Sequence, residues 1–303
     1  MPTQPSVMLA LMQALSSEEI RQMVRQALAE DVGSGDVTTL ATVPPTASAC
    51  ARMVAREPLV VSGLALAETA FAEVSPEVHC ERGLQDGQPA DKGASLLHVS
   101  GPTQAILTAE RVALNFVQRL SGVATLTARF VEAVKGTPAR ILDTRKTTPG
   151  WRRLEKYAVR CGGGQNHRFG LFDMVLIKDN HLAALRNEPP NPITAAISRA
   201  RSRYPQLKVE VEADTLEQVA QAVSAGADII LLDNMTTEQL RAAVKLVAGR
   251  AKTEASGGVS LSTVRDIADT GVDYVSAGAL THSARAMDIA LDFEEPGLLP
   301  SDH

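Results

Sequence analysis

Apolar positions recur along this 303-residue chain first in a mixed texture and then, from about Gly136, as a regular strand–helix alternation. Early on, Ile20, Val24 and Leu28 follow Ser17-Glu-Glu at helical spacing, with Ser17 as a good N-cap. Two glycines in Glu30-Asp-Val-Gly-Ser-Gly-Asp-Val-Thr-Thr39 then break the helix. The pattern predicts strands at Ala49–Ala55, Glu57–Val61 and Ser95–Val99 and a helix over Ser62–Val74. Asp86-Gly-Gln-Pro and Asp91-Lys-Gly are turn signals, and a longer helix, Thr103–Leu120, follows Gly101-Pro102 and carries Glu110-Arg111.

Beyond Gly136, apolar runs stand at Arg140–Asp143, Met174–Ile177, Lys208–Val211, Asp228–Leu232, Ala251–Ala255 and Val272–Ser276. Helical segments at Asn191–Tyr204, Thr215–Ala225, Thr237–Ala248 and Ser262–Thr270 separate most of them. Such alternation predicts a parallel sheet. Each run ends in polar residues or glycine: Arg145 and Lys146, Lys178, Glu212, Asp233, Ser256 and Gly278. In a (β/α) barrel the active site lies at the C-terminal strand ends, so the pattern favours a barrel whose mouth is the site.

Composition narrows the classes. Hydrophobic residues make up 45%, ordinary for a globular protein, and 303 residues hold one large domain or two. A pI near 5.7 argues against a nucleic-acid surface. Cys50, Cys80 and Cys161 are scattered and odd in number, which points to a reducing cytoplasm rather than a disulfide framework or zinc site. Val7–Leu15 is short and broken by Gln13, so it reads as an amphipathic first helix, not a signal peptide or membrane span.

Charge is uneven. Between Arg140 and Lys178 stand nine Lys/Arg and three acids, a local +6 in a chain whose formal charge is -5. Arg145, Lys146, His167, Arg168 and Lys178 sit at strand ends or in the glycine loop that precedes them, where a multiply anionic ligand would bind. Glu210 and Glu212 share one face of a period-two run. Glu212 is nearer the strand end, and the deeper Glu210 needs a cationic partner such as Lys178 or Arg145. Asp233 either caps the next helix or joins Glu212 in a hard-oxygen site for Mg²⁺. Ser256, Gly257 and Gly258, followed by Gly278 and Ala279, offer small-residue turns suited to phosphate in the last two strand-end loops. His167 and His181 both have structural readings as loop residues, and Lys178 has a rival reading as an aldolase's Schiff-base lysine. A silent phosphate binder is the third class.

Six motifs together are similar to one family. Asp143-Thr144-Arg-Lys-Thr-Thr-Pro-Gly, Gly162-Gly-Gly-Gln-Asn-His-Arg, Ile177-Lys-Asp-Asn-His, Val209-Glu-Val-Glu, Leu231-Leu-Asp-Asn and Glu254-Ala-Ser-Gly-Gly resemble quinolinate phosphoribosyltransferase. The likeness runs from about residue 17 to 291 and includes Ala109-Glu-Arg-Val-Ala-Leu-Asn and Gly278-Ala-Leu-Thr-His. It implies conversion of quinolinate and phosphoribosyl pyrophosphate to nicotinate mononucleotide, pyrophosphate and CO₂, with Mg²⁺ and no organic cofactor. It further implies an N-terminal α/β (α+β) sandwich domain over residues 1–122, followed by an incomplete (β/α) barrel of parallel strands over 123–281. The tail 282–303 would pack back on the first domain. Arg111, Thr144, Arg145, Lys146, His167, Arg168, Lys178, Glu212, Asp233, Ser256, Gly257, Gly258, Gly278 and Ala279 would bind the substrates. Lys146, Lys178, Glu212 and Asp233 would act in catalysis, and Glu212 and Asp233 would hold the metal. The resemblance also implies a homodimer in which Arg111 serves the partner's site, with neither nucleic acid nor membrane involved.

Overall fold

The computed structural model describes residues 16–294, so the helix expected over Val7–Leu15 and the chain beyond residue 294 lie outside it. In chain order the early elements are α1 (Ser17–Val32), α2 (Val37–Thr42), β1 (Ser48–Ala55), β2 (Leu59–Val60), α3 (Leu64–Val74), β3 (His79–Arg82), β4 (Pro89–Ala90), β5 (Ser95–Pro102) and α4 (Thr103–Ala133). Next come β6 (Arg140–Leu142), α5 (Arg152–Cys161), β7 (Val175–Ile177), α6 (Asp179–Ala184), α7 (Pro192–Arg203), β8 (Val209–Ala213) and α8 (Leu216–Ser224). The chain continues through β9 (Ile229–Asp233), α9 (Thr237–Val247), β10 (Lys252–Ser256), α10 (Val264–Ala268), β11 (Tyr274–Ser276), α11 (Ala279–His282) and β12 (Ile289–Phe293).

Two compact units emerge. The first comprises the chain up to Leu126, Arg153–Gly163 and the part from Ala284 on; the second comprises Thr127–Arg152 and Gly164–Ser283. The segment Arg153–Gly163, numbered inside the expected barrel, belongs to the first unit.

In the first unit an antiparallel sheet has the order β12-β1-β5-β3, with the C-terminal strand paired to β1 from Ala51↔Phe293 to Ala55↔Ile289. Met53, Ala55, Leu96 and Leu97 are fully shielded in its strands. Helix α1 starts one residue earlier than its Ser17 reading: Ser16 is the cap, accepting from the Glu19 N–H while the Glu19 carboxylate reaches back to the Ser16 N–H. Ser16-x-x-Glu19 has the reciprocal capping-box spacing, whereas a cap at Ser17 would put Ile20 in the answering position. Helix α4 runs 13 residues past its expected end at Leu120. Gly122 does not stop it; a Cβ there would come within 1.9 Å of the Arg285 carbonyl oxygen, so this glycine serves close approach. The expected strand Glu57–Val61 shrinks to Leu59–Val60, next to Pro58, which lacks a ladder donor.

The second unit holds six parallel strands in the order β6-β11-β10-β9-β8-β7, interleaved with helices, an incomplete (β/α) barrel. Gln165 extends the ladder on the outer side of β6, exchanging backbone bonds with Ile141 and Asp143. Val209 and Val211 are fully buried on β8, and Val219, Ala222, Leu240 and Ala243 supply the buried faces of α8 and α9. Those helices begin at Thr215 and Thr236, each in a capping box. Asp233 is therefore not the α9 cap. Among the described residues no helix is long and apolar enough to cross a membrane.

Candidate active site

Strand register brings the polar residues together. Parallel pairing aligns Leu176 with Glu210, Glu212 with Leu231, Leu231 with Glu254, and Asp233 with Ser256. Paired residues of adjacent strands point to one face of a sheet, so these side chains form a common set. All of them except the fully buried Glu210 open onto a cavity of about 750 Å³ lined by Thr144, Arg145, Lys146, His167, Arg168, Lys178, Glu212, Asp233, Ser256, Gly257, Gly258, Gly278 and Ala279, and also by Leu176, Leu231, Asn234, Glu254, Ser276 and His282. Arg111 is not part of this lining; it is exposed on α4 in the first unit.

One wall is cationic. Asp143, fully buried just past β6, fixes the glycine loop by accepting from the His167 N–H at 2.9 Å and the Asn166 amide at 2.6 Å. That holds His167 and Arg168 beside Arg145. Burial and the neighbouring Arg145 charge both pull the Arg168 guanidinium below its ordinary range, as two cations held close together do. Asp173 braces the same loop by accepting from the N–H groups of Phe169 and Gly170.

A second group is acidic. Lys178 Nζ stands 3.1 Å from Glu212 Oε2, while the Lys178 N–H donates to Nδ1 of His181. His181 thus caps α6. Burial raises the Glu212 carboxyl above its usual range; Lys178 opposes the rise and Asp233 adds to it. Carboxylate oxygens of Glu212, Asp214 and Asp233 lie within 4.8 Å of one another, a hard-oxygen grouping suited to a divalent cation. Asp233 is steadied by the Asn234 amide, which donates at 2.6 Å.

Small residues close the third side. Gly257 has φ +95°, and a Cβ there would fall 2.1 Å from Asn234 Oδ1, so no other residue fits. Gly258 also has positive φ, at +61°, in the turn that follows β10. A Cβ at Gly278 would press on His282 Nε2 at 3.0 Å and on the Lys146 side chain at 3.2 Å. Thr281 Oγ1 donates to the Lys146 carbonyl, tying this loop to the β6 loop.

Beneath the cationic wall, Glu210 and Glu254 are both buried. The expected partner of Glu210 was Lys178 or Arg145. Its contact is instead His167, whose Nε2 lies 3.0 Å from Glu210 Oε2 and 3.5 Å from Glu254 Oε2. Lys178 is drawn to the nearer Glu212, one pleat further along the strand. Sequence reasoning read the Glu254 segment only for its glycine turn and missed the acid, as it missed Asp214, Asn234 and His282. The signal for Glu254 was there: a glutamate two residues before the end of an apolar strand, as Glu210 is two before Glu212.

Comparison with known proteins gives the same picture over nearly the whole chain. Residues 36–121 match the family model "Quinolinate phosphoribosyl transferase, N-terminal domain", and residues 123–292 match its C-terminal domain. A nicotinate-nucleotide pyrophosphorylase [carboxylating] of Mycobacterium leprae is 46% identical over 279 residues, covering 90% of this chain and 96% of the relative. A mitochondrial quinolinate phosphoribosyltransferase [decarboxylating] of Nicotiana tabacum is 43% identical over 292 residues, covering 91% and 82%. The solved nicotinate-nucleotide pyrophosphorylase of Francisella tularensis superposes with a TM-score of 0.88 at 36% identity, covering 93% of this chain and 99% of that one.

Proposed function

Since the chain belongs to the quinolinate phosphoribosyltransferase family, we propose that the cavity at its barrel strand ends is where quinolinate meets phosphoribosyl pyrophosphate. The reaction gives nicotinate mononucleotide, pyrophosphate and CO₂, a step of NAD biosynthesis. The observation that carries the site assignment is the convergence of Arg145, Lys146, Arg168 and Lys178 on one cavity with Glu212, Asp233 and the tight glycine turn at 257–258.

Each wall has a task. Quinolinate is a dianion, and the paired guanidiniums of Arg145 and Arg168 match its carboxylates in geometry and charge. Binding also relieves the repulsion that depresses Arg168. Backbone N–H groups of the Gly257–Gly258 and Gly278–Ala279 turns, with Ser256 and Lys146, suit the ribose phosphate and pyrophosphate. Glu212 and Asp233 would hold Mg²⁺, whose chemistry is to neutralise the pyrophosphate as it leaves. Their carboxylates also face the ribose side, where positive charge develops as the C–O bond breaks. Once the pyridine nitrogen carries ribose it is cationic and draws the electrons of the 2-carboxylate, so CO₂ departs from a ring the protein has only to orient and desolvate. No organic cofactor is needed for any of these steps.

The proposal extends to assembly and place. We take the working form to be a homodimer in which Arg111, exposed on α4, reaches the partner's site. Cytoplasmic residence is supported by three unpaired cysteines, although plant relatives carry mitochondrial or chloroplastic names. The deciding assay incubates the protein with both substrates and Mg²⁺. Equimolar nicotinate mononucleotide, pyrophosphate and CO₂ are expected, and a protein that binds phosphoribosyl pyrophosphate yet makes none of them would refute the assignment.

A further inference from the structure

Two buried glutamates and one imidazole lie under the cation wall in an arrangement that the reaction chemistry leaves unused. The Arg168 N–H donates to His167 Nδ1 at 2.8 Å. A ring nitrogen that accepts an N–H bears no proton, so the neutral ring carries its own proton on Nε2. That N–H faces Glu210 Oε2 at 3.0 Å and Glu254 Oε2 at 3.5 Å, with the His167 side chain only 8% exposed and the two acids at 0% and 1%. These are close approaches rather than aligned hydrogen bonds: all four carboxylate oxygens of Glu210 and Glu254 are buried without a hydrogen-bond partner, which leaves the His167 ring as the polar group nearest to them.

The same grouping could be mistaken for a metal site, since His167, Glu210 and Glu254 place ligand atoms within 4.8 Å of one another. The tautomer argues otherwise. A neutral imidazole with Nδ1 occupied by a backbone N–H has a proton, not a lone pair, on the nitrogen that faces the acids. Nearby Arg145 and Arg168 further disfavour a dication. The acids manage their own repulsion instead: burial first, then the charge of Glu210, pushes the Glu254 carboxyl well above its ordinary range, toward the protonated form.

We propose that Glu210 and Glu254 are positioning residues, which hold the Nε2–H of His167 so that its Nδ1 fixes the backbone of Arg168 for quinolinate. The chain of contacts runs from the acids through the imidazole to the Arg168 N–H, and each link is a direct contact. This rests on the function proposed above, but its first test does not. In ¹⁵N-labelled full-length protein, the His167 ring, assigned by its loss in His167→Asn, should be neutral and protonated at Nε2. An imidazolium or an Nδ1-protonated ring would overturn the proposal whatever the enzyme's substrates are.

Kinetics supply the second test. Glu210→Met keeps the volume but removes the acceptor, whereas Glu210→Gln keeps an acceptor oxygen. The methionine variant should raise KM for quinolinate about ten- to a hundredfold, the scale of a misplaced supporting contact, with KM for phosphoribosyl pyrophosphate unchanged. Glutamine should recover most of that loss. Equal effects of the two substitutions, or equal rises in both KM values, would mean that Glu210 serves only the fold. Wild-type protein that forms no nicotinate mononucleotide would instead sink the functional reading and leave the imidazole result standing.

Discussion

Replacing Glu254 with glutamine should make the protein more stable at alkaline pH, and the gain can be worked out from its burial. The carboxyl moves from an ordinary 4.5 to about 8 on folding, driven by desolvation and then by Glu210. Between those values the folded state holds a proton that the unfolded state has released, so stability is greatest below pH 4.5 and declines as pH rises through 8. At about 1.4 kcal/mol per pH unit, the whole change is several kcal/mol, ~5 at most. Glutamine is a neutral isostere of the protonated acid and has no such dependence. Urea unfolding followed through Trp151, the single tryptophan and a member of the barrel unit, should therefore give similar stabilities for the two proteins near pH 5. Near pH 8 the variant should lead by several kcal/mol. Parallel stability curves across that range would refute the claim that Glu254 is buried as the acid.

Other expectations concern the substrates. Arg145→Ala or Arg168→Ala should raise KM for quinolinate with the fold intact, each lost guanidinium–carboxylate pair weakening binding by about 2–4 kcal/mol; unchanged quinolinate kinetics would contradict the cation-wall assignment. Glu212→Gln and Asp233→Asn should lose Mg²⁺-dependent turnover while calorimetry without Mg²⁺ shows quinolinate still bound, and the reverse pattern would move these acids to the other substrate. Mixing inactive Arg111→Ala with inactive Lys178→Ala subunits should restore activity, because a mixed twofold dimer contains one site with neither lesion. If exchanged mixtures stay inactive, Arg111 does not act across the dimer.

The barrel unit was the more legible part of the chain. Its strands are buried on both faces and read as apolar runs, its helices announce themselves with Thr215 and Thr236 caps, and the site residues follow each strand directly. Helix α5, Arg152–Cys161, went unread because its charged sequence has only a narrow apolar stripe, Leu154, Ala158 and Val159. Helix α4 outruns the expected end at Leu120 for a related reason: the close approach of Gly122 to the Arg285 carbonyl depends on residues far away in sequence, which no local pattern shows. The partner of Glu210 was missed for a similar reason. Period-two alternation shows that a glutamate points inward, but not which loop folds beneath it, and His167 arrives from a glycine loop whose path is set by Asp143.

Pairing between β1 and β12 has a consequence for synthesis. Ala51 finds its strand neighbour at Phe293, so the first sheet to leave the ribosome is among the last to be finished. At roughly 5–20 residues per second, one edge of β1 waits on the order of ten seconds or more for its mate. During that interval it presents unpaired N–H and C=O groups, the kind of edge that invites pairing with another chain. A nascent-chain chaperone, or a ribosome pausing late in the message, would have its largest effect on yield here, and truncations that remove only the last strand should aggregate rather than simply lose activity.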